Sequence, residues 1–208
     1  MYVQQFMTSQ VFTVSPNESI LNAMNIMNLK KINRLPVVKN GKLVGIVTDG
    51  DLRAASPSPI TSLSRFEMNE LLSKVTIKDV AIKKVVTCSP DTIFEDAALL
   101  MRENKIGALP IMEGEKLVGI ITQNNILDAF LDIMGSRSPG KRVVIEAKDE
   151  IGIFNDLTAI IRDYGVDITS LAVFHMQNRR VQILMHLEGE KSEEAVNSLI
   201  EKGFVITA

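Results

Sequence analysis

The first apolar run, Val11–Val14, has the length of a strand and stops at Ser15-Pro16, where proline cannot extend a ladder. Ile20, Ala23, Met24 and Met27 then fall at helical spacing and predict a helix with one apolar face. Two more apolar runs, Leu35–Val38 and Leu43–Val47, flank Asn40-Gly41, a dipeptide that favours the tight turn of a hairpin. A further helix is expected to begin near Thr48. The same succession returns downstream. Val85–Cys88 reads as a strand, and Phe94, Ala97, Ala98 and Met101 as a helix face, with Thr92 and Glu95 spaced for a capping box. Glu113-Gly114 is the expected turn of the second hairpin and Thr122 the start of its last helix. Each unit reads β-α-β-β-α.

The succession is a duplication. Thr13-Val-Ser-Pro16 returns as Thr87-Cys-Ser-Pro90, and Lys31-Ile-Asn-Arg-Leu-Pro-Val37 as Lys105-Ile-Gly-Ala-Leu-Pro-Ile111. Lys42-Leu-Val-Gly-Ile-Val-Thr48 returns as Lys116-Leu-Val-Gly-Ile-Ile-Thr122. Aligned without gaps, residues 13–52 and 87–126 are identical at 15 of 40 positions, which fixes the register of one copy on the other. Ala55-Ser-Pro-Ser-Pro59 reads as a turn-rich spacer, and Phe66, Leu71, Leu72 and Val75 predict one short helix between Phe66 and Val80. Gly135-Ser-Arg-Ser-Pro-Gly140 reads as a domain boundary.

Past that boundary the pattern changes. Arg142–Ala147 is a strand, Asp149-Glu-Ile-Gly152 a turn, and Phe154, Leu157, Ile160 and Ile161 the apolar face of a helix ending near Gly165. Val166–Met176 and Arg180–Leu187 flank the polar Gln177-Asn178-Arg179 and predict a hairpin. Glu190–Lys202 follows as a charged helix with Ala195, Val196, Leu199 and Ile200 inward, and Phe204–Thr207 as a last strand. The order β-α-β-β-α-β is the split, ferredoxin-like arrangement. The expected fold is α+β (mixed α/β). Repeat one spans residues 1–60, a linker helix with repeat two 61–134, and a third domain 141–208.

Composition narrows the class. With 46% hydrophobic and 23% charged residues in 208, a packed interior is expected. Basic and acidic residues nearly cancel, for a net charge of −2, which argues against a nucleic-acid partner. No apolar run approaches the roughly 18 residues that cross a bilayer. The opening Met-Tyr-Val-Gln-Gln has no basic and apolar leader pattern, and a single cysteine, Cys88, suits a reducing compartment, so a cytoplasmic location is expected.

The repeats resemble a tandem CBS pair, the Bateman module. The residues that carry the resemblance are Ile32-Asn-Arg-Leu-Pro-Val-Val38 and Gly45-Ile-Val-Thr-Asp-Gly-Asp-Leu52, with Gly107-Ala-Leu-Pro-Ile111 and Gly119-Ile-Ile-Thr-Gln-Asn-Asn-Ile126 in the second copy. The last third resembles an ACT domain through Asp149-x-x-Gly152, Leu157 and Val166-Asp-Ile168. The order CBS-CBS-ACT is similar to that of the AcuB-type acetoin-utilisation proteins. The resemblance implies a regulatory sensor of an adenosine-containing ligand (AMP, ADP, ATP, NAD or S-adenosylmethionine), with acetoin catabolism as the controlled pathway.

In such pairs Gly-h-h-Thr-x-x-Asp supplies a carboxylate for the two ribose hydroxyls and a hydroxyl at a helix start for phosphate. Thr48 and Asp51 match both positions. The resemblance places Arg34 against phosphate, with the adenine near Thr13, Val14, Ser15, Leu35 and Pro36. Thr48-x-x-Asp51 also has the form of a helix cap, which needs no ligand, and the two roles are compatible. The second copy carries Asn125 for the aspartate and Ala108 for Arg34, so Thr87, Cys88, Leu109, Pro110, Thr122 and Asn125 outline a weak or empty second site. Asp149, Ile151, Gly152 and Ile153 match the loop where ACT domains take amino-acid effectors, and form equally a plain strand-to-helix turn.

No catalytic constellation assembles. His175 and His186 lack cysteine or acidic neighbours at metal-ligand spacing, and Asp49-Gly50-Asp51 is too sparse for a magnesium site. Phosphate-binding loops and nucleophile elbows are missing. The sequence therefore reads as a non-enzymatic sensor without a required cofactor or metal, expected to form a homodimer that acts on a target protein. The rival reading is a ligand-free dimeric interaction scaffold.

Overall fold

The structure, a computed structural model, describes residues 1–56, 64–137 and 139–207. Pro57–Pro59 of the spacer and Ser138 of the second linker lie outside the described residues. The chain divides into two compact units, Met1–Ile126 and Leu127–Ala208.

In the first unit a 3-10 turn at Val3–Gln5 precedes α1 (Ile20–Lys30), β1 (Arg34–Lys39), β2 (Lys42–Thr48) and α2 (Asp49–Ala54). The Ser19 hydroxyl starts α1 by accepting the Asn22 N–H at 3.2 Å, and Lys31 ends it in the left-handed region at φ 52°. Ile20, Ala23 and Met27 bury one face of that helix against Val14, Leu35, Val37, Val47, Leu52 and Ile77. Asn40 and Gly41 both have positive φ, the geometry that matches hairpin twist.

The repeat follows with α5 (Phe94–Glu103), β3 (Ala108–Glu113), β4 (Lys116–Thr122) and α6 (Gln123–Ile133). Before it come two helices where one was expected, α3 (Arg65–Lys74) and α4 (Ile77–Val80). Val75 turns extended, and Thr76 opens the second helix with a capping box to Asp79. Leu72 is buried, whereas Phe66 and Leu71 face solvent.

Three local expectations are corrected. Val11–Val14 and Val85–Cys88 are not strands; only Val14 and Cys88 pair, as single parallel bridges to Val37 and Ile111. Val14 donates its N–H to Pro36 O and accepts from Val38, so the next donor in that ladder would be Pro16, which has no N–H. Pro90 stops the second copy in the same way. Thr92 does not cap α5, because its hydroxyl accepts the Ser89 N–H at 3.0 Å, and the N-cap falls on Ile93. The second turn is Gly114-Glu115, since Glu113 already pairs with Lys116.

The segment leading into each repeat is wound onto the other repeat. Thr8 and Ile120 exchange both backbone hydrogen bonds, at 2.9 and 3.0 Å, and Val3 donates to Thr92. Ile46 and Ile82 exchange theirs at 3.0 and 2.9 Å, while Ile77 donates to Glu18. Each hairpin is thus flanked on one side by its own copy and on the other by the lead-in of its twin. Gly45 and Gly119 make the crossing close. A Cβ on Gly45 would stand 3.1 Å from the Ile82 carbonyl oxygen, and one on Gly119 would collide with Met7 Sδ.

The second unit contains β5 (Lys141–Lys148), α7 (Ile153–Asp163), β6 (Asp167–Met176), β7 (Arg180–Glu188), α8 (Ser192–Glu201) and β8 (Val205–Ile206). Its antiparallel sheet has the order β6-β7-β5-β8. Val181, Ile183, Met185 and Leu187 alternate along β7 and pack with Leu157, Ile160 and Ile161 of α7 and Ala195, Val196 and Leu199 of α8. Ile200 is half exposed rather than inward, because the buried stripe of α8 runs through Ser192, Ala195, Val196 and Leu199 and leaves the next position at its margin. His186 points to the opposite face, buried, with Nδ1 3.0 Å from Ser170 Oγ.

Candidate functional site

Thr48 is the N-cap of α2, and three hydrogen bonds fix its geometry. The Asp51 N–H donates to Thr48 Oγ1 at 3.2 Å, while the Thr48 hydroxyl and N–H both donate to Asp51 Oδ2, at 2.6 and 2.8 Å. Asp51 Oδ2 is thereby saturated. Oδ1 has no hydrogen-bond partner among the described residues and remains as the acceptor for anything that enters beside it. The second copy repeats the cap with one atom changed. Thr122 N–H and Oγ1 donate to Asn125 Oδ1 at 2.9 and 2.8 Å, so the amide oxygen is consumed and the Nδ2 group, a donor, is left over. The hydrogen-bond network forces this amide orientation, since Thr122 N–H requires an oxygen.

The crossing of the lead-ins sets what faces these caps. Thr48 and Asp51 line a cleft of about 220 Å³ whose other wall is Lys84, Val85 and Val86, with Lys105, Gly107 and Ala108. Thr122 and Asn125 line a cleft of about 300 Å³, opposite Gln10, Val11 and Phe12, with Lys31, Asn33 and Pro36. Each cleft therefore pairs the cap of one copy with the pre-helix segment and hairpin start of the other. Lys30 Nζ sits 4.8 Å above the Phe12 ring, a cation–π contact at the edge of the larger cleft.

Arg34 lines both clefts. It opens β1 opposite Thr48, and its guanidinium lies against Gly107, where a Cβ would stand 2.8 Å from Nη1 and 3.0 Å from Nη2. No carboxylate lies within ion-pair distance of it among the described residues. Partial burial pulls its pKa below the ordinary guanidinium value through desolvation, yet a guanidinium stays charged at any biological pH. A half-buried cation without a counter-ion is an anion site in electrostatic terms.

The expected residues divide between the clefts. Arg34, Thr48 and Asp51 come together in the smaller one, Pro36, Thr122 and Asn125 in the larger. Thr13, Val14, Ser15 and Leu35 line neither, and nor do Thr87, Cys88, Leu109 and Pro110. Val14, Leu35, Cys88 and Leu109 are core residues, while Thr13 and Ser15 face solvent. Reasoning from sequence missed Lys31, Lys84, Lys105, Gly107 and Phe12. A weak signal existed in Lys31 and Lys105, which recur at equal positions and both take the left-handed conformation that ends a helix.

In the second unit, Gly152 is the N-cap of α7 at φ 98°, with open space where a side chain would stand. Asp149 and Ile153 line a cleft of about 610 Å³ together with Lys148, Arg179, Arg180 and Phe204. Asp149 Oδ2 lies 3.3 Å from His175 Nδ1, and Ile151 is fully exposed at the loop tip. Among the described residues no three His, Cys, Asp or Glu side chains converge as metal ligands, and no helix is long and apolar enough to cross a membrane.

Comparison with known proteins gives the clefts a context. The CBS domain family model matches residues 3–58 and 77–132. A CBS domain-containing protein of Dictyostelium discoideum is 32% identical over 134 residues, covering 64% of this chain and 92% of that relative. Inosine-5′-monophosphate dehydrogenase of Methanocaldococcus jannaschii is 34% identical over 173 residues, 82% of this chain, but this chain spans only 32% of that enzyme. Among solved structures, an AcuB-type protein of Vibrio cholerae, assigned to acetoin utilization, is 26% identical with a TM-score of 0.55, covering 68% of this chain and 98% of its own. CBSX2, solved in complex with AMP, is 32% identical with a TM-score of 0.55, covering 64% and 97%. The CBS domain pair of protein MJ0100, solved with 5′-methylthioadenosine and S-adenosyl-L-methionine, is 28% identical with a TM-score of 0.52, covering 62% and 99%. The two matched segments take in more than half of the sequence, and the chain belongs to the CBS-domain family as a tandem pair.

Proposed function

We propose that the first unit is a regulatory sensor of an adenosine-containing ligand: AMP, ADP, ATP, NAD or S-adenosylmethionine. The observation that carries this reading is the free Oδ1 of Asp51 in a cleft with Arg34, Lys84 and Lys105. An acceptor for ribose hydroxyls stands there beside cations for phosphate. The AMP bound to CBSX2 and the adenosyl compounds bound to the MJ0100 pair, both of which this chain resembles, support it. A ligand in either cleft touches both repeats, so it favours the arrangement of repeats that it fits, by its differential affinity for the two states.

We read the second unit as an ACT-like effector domain that takes an amino acid at Asp149, Ile151, Gly152 and Ile153. Its sheet order and the open backbone at Gly152 support this. The likeness to the Vibrio cholerae protein supports acetoin catabolism as the pathway controlled, through a homodimer that acts on a target enzyme or regulator and catalyses nothing itself.

Calorimetric titration with the five ligands on wild type and Asp51→Asn tests the sensor. The amide oxygen that this substitution introduces would hold the Thr48 cap as Asn125 holds that of Thr122, while the leftover acceptor becomes a donor. The expected result is micromolar binding to wild type and a loss of about tenfold or more in the variant, the size of a charge-assisted hydrogen bond, with an unchanged thermal midpoint. Flat titrations across the panel would replace the sensor with the ligand-free scaffold.

A further inference from the structure

We propose that Arg34 is one phosphate-binding cation shared by both clefts, so that an anionic nucleotide in one cleft weakens the binding of a second in the other. The inference rests on the nucleotide reading above and adds a coupling to it. The other cations are private. Lys31 lines only the larger cleft, and Lys84 and Lys105 only the smaller, whereas Arg34 lines both. The duplication supplied no second guanidinium, because the matched residue of copy two is Ala108. Gly107, the neighbour that lets the guanidinium lie in the wall between the clefts, has no side chain to push it toward either one.

The sign of the coupling follows from charge. If the first phosphate takes the guanidinium fork, the second meets a cleft with one cation fewer. If the fork bridges both, two phosphates are held near a single positive charge and repel each other. Both arrangements disfavour double occupancy by anions. A nucleoside without phosphate makes no claim on Arg34, so its two binding events should be independent. The smaller cleft fills first, since it holds the ribose acceptor and the larger number of cations.

The methyl groups of Ile46 and Ile120 report the clefts separately, because Ile46 lines the smaller and Ile120 the larger. AMP and adenosine are titrated into isoleucine-methyl-labelled full-length protein and followed by NMR, on wild type, Asp51→Asn and Asp51→Asn/Arg34→Ala. Weakening the smaller cleft releases Arg34 to the larger. With AMP the Ile120 midpoint in Asp51→Asn should therefore fall about tenfold below that of wild type, the worth of one charge-assisted hydrogen bond. That gain should vanish in the double variant and never arise with adenosine. Gly107→Ala, whose new Cβ displaces the guanidinium without removing its charge, should shrink the coupling as well. An Ile120 midpoint indifferent to Asp51→Asn, or a gain that survives loss of Arg34, overturns the sharing and leaves the sensor standing. Methyl resonances that respond to neither AMP nor adenosine overturn the sharing, whereas the sensor reading itself falls only when the calorimetric titrations with all five ligands are flat as well.

Discussion

Asp51 and Asn125 occupy matched positions and make the same cap, yet they offer opposite chemistry to their clefts. Each commits one oxygen to the preceding threonine. What is left is an acceptor in one copy and a donor in the other, so the difference concerns the sign of the hydrogen bond more than its strength. Asn125→Asp should restore an acceptor and raise the affinity of the larger cleft for adenosine by about tenfold, read from the Ile120 methyl. Thr48→Val removes the cap itself and should cost about 1 kcal/mol in urea unfolding. Cys88 gives a prediction in pH. Burial pushes its thiol above the ordinary value of 9.0, with a hydrogen bond to Thr92 opposing weakly. The folded state thus favours the neutral thiol. Its contribution to stability is complete below about pH 9 and falls as pH rises through the folded value. Unfolding midpoints from pH 7 to 10.5 should decline at the alkaline end less steeply in Cys88→Val, and alkylation of the native thiol at pH 7 should be slow beside that of the unfolded chain.

At the scale of elements, helices and hairpins were legible because their signals are local. Ile20, Ala23 and Met27 declare a face by spacing alone, and Asn40-Gly41 declares a turn by its φ requirement. Two kinds of error arose where a competing partner lay nearby in sequence or where the partner lay far away. Thr92 had the spacing of a cap and gave its oxygen to Ser89 instead. The clefts were misassembled for the second reason. A repeat invites the expectation that each copy builds its own site, and no local pattern says that the 75–82 segment pairs with Ile46 while the 1–8 segment pairs with Ile120. The duplicated Gly45 and Gly119 are the sequence trace of that exchange, visible only once the crossing is known. Gly45→Val should push the Ile82 carbonyl away and destabilise the first unit by roughly 1–3 kcal/mol, the usual cost of overpacking. Hydrogen exchange at the Ile46 and Ile82 amides should accelerate before exchange in β1 does.

At the scale of the molecule there are two compact units; one apolar cluster packs the first repeat with Leu72 and Ile77, and a separate one packs the four-stranded sheet against its helices. A ligand confined to the first unit should stabilise that unit alone. At a hundredfold excess over its dissociation constant, the stabilisation is about 2.7 kcal/mol, which for a unit of this size raises one calorimetric transition by roughly 10 °C. A second transition that stays in place under AMP is the expected accompaniment, and a joint shift of both would show that the units melt together. The exchanged lead-ins have a further consequence, for synthesis. On the ribosome the hairpin of the first repeat emerges with one flank bare, and stays so until the segment ending at Ile82 has followed it out. Met1–Gln4 has no partner until Pro90–Phe94 emerges, and Thr8 none until Ile120 is extruded. At about 5–20 residues per second, Thr8 waits several seconds or more for Ile120. Neither repeat can be excised as a finished object, so a duplication that began as two copies has become a single indivisible folding unit.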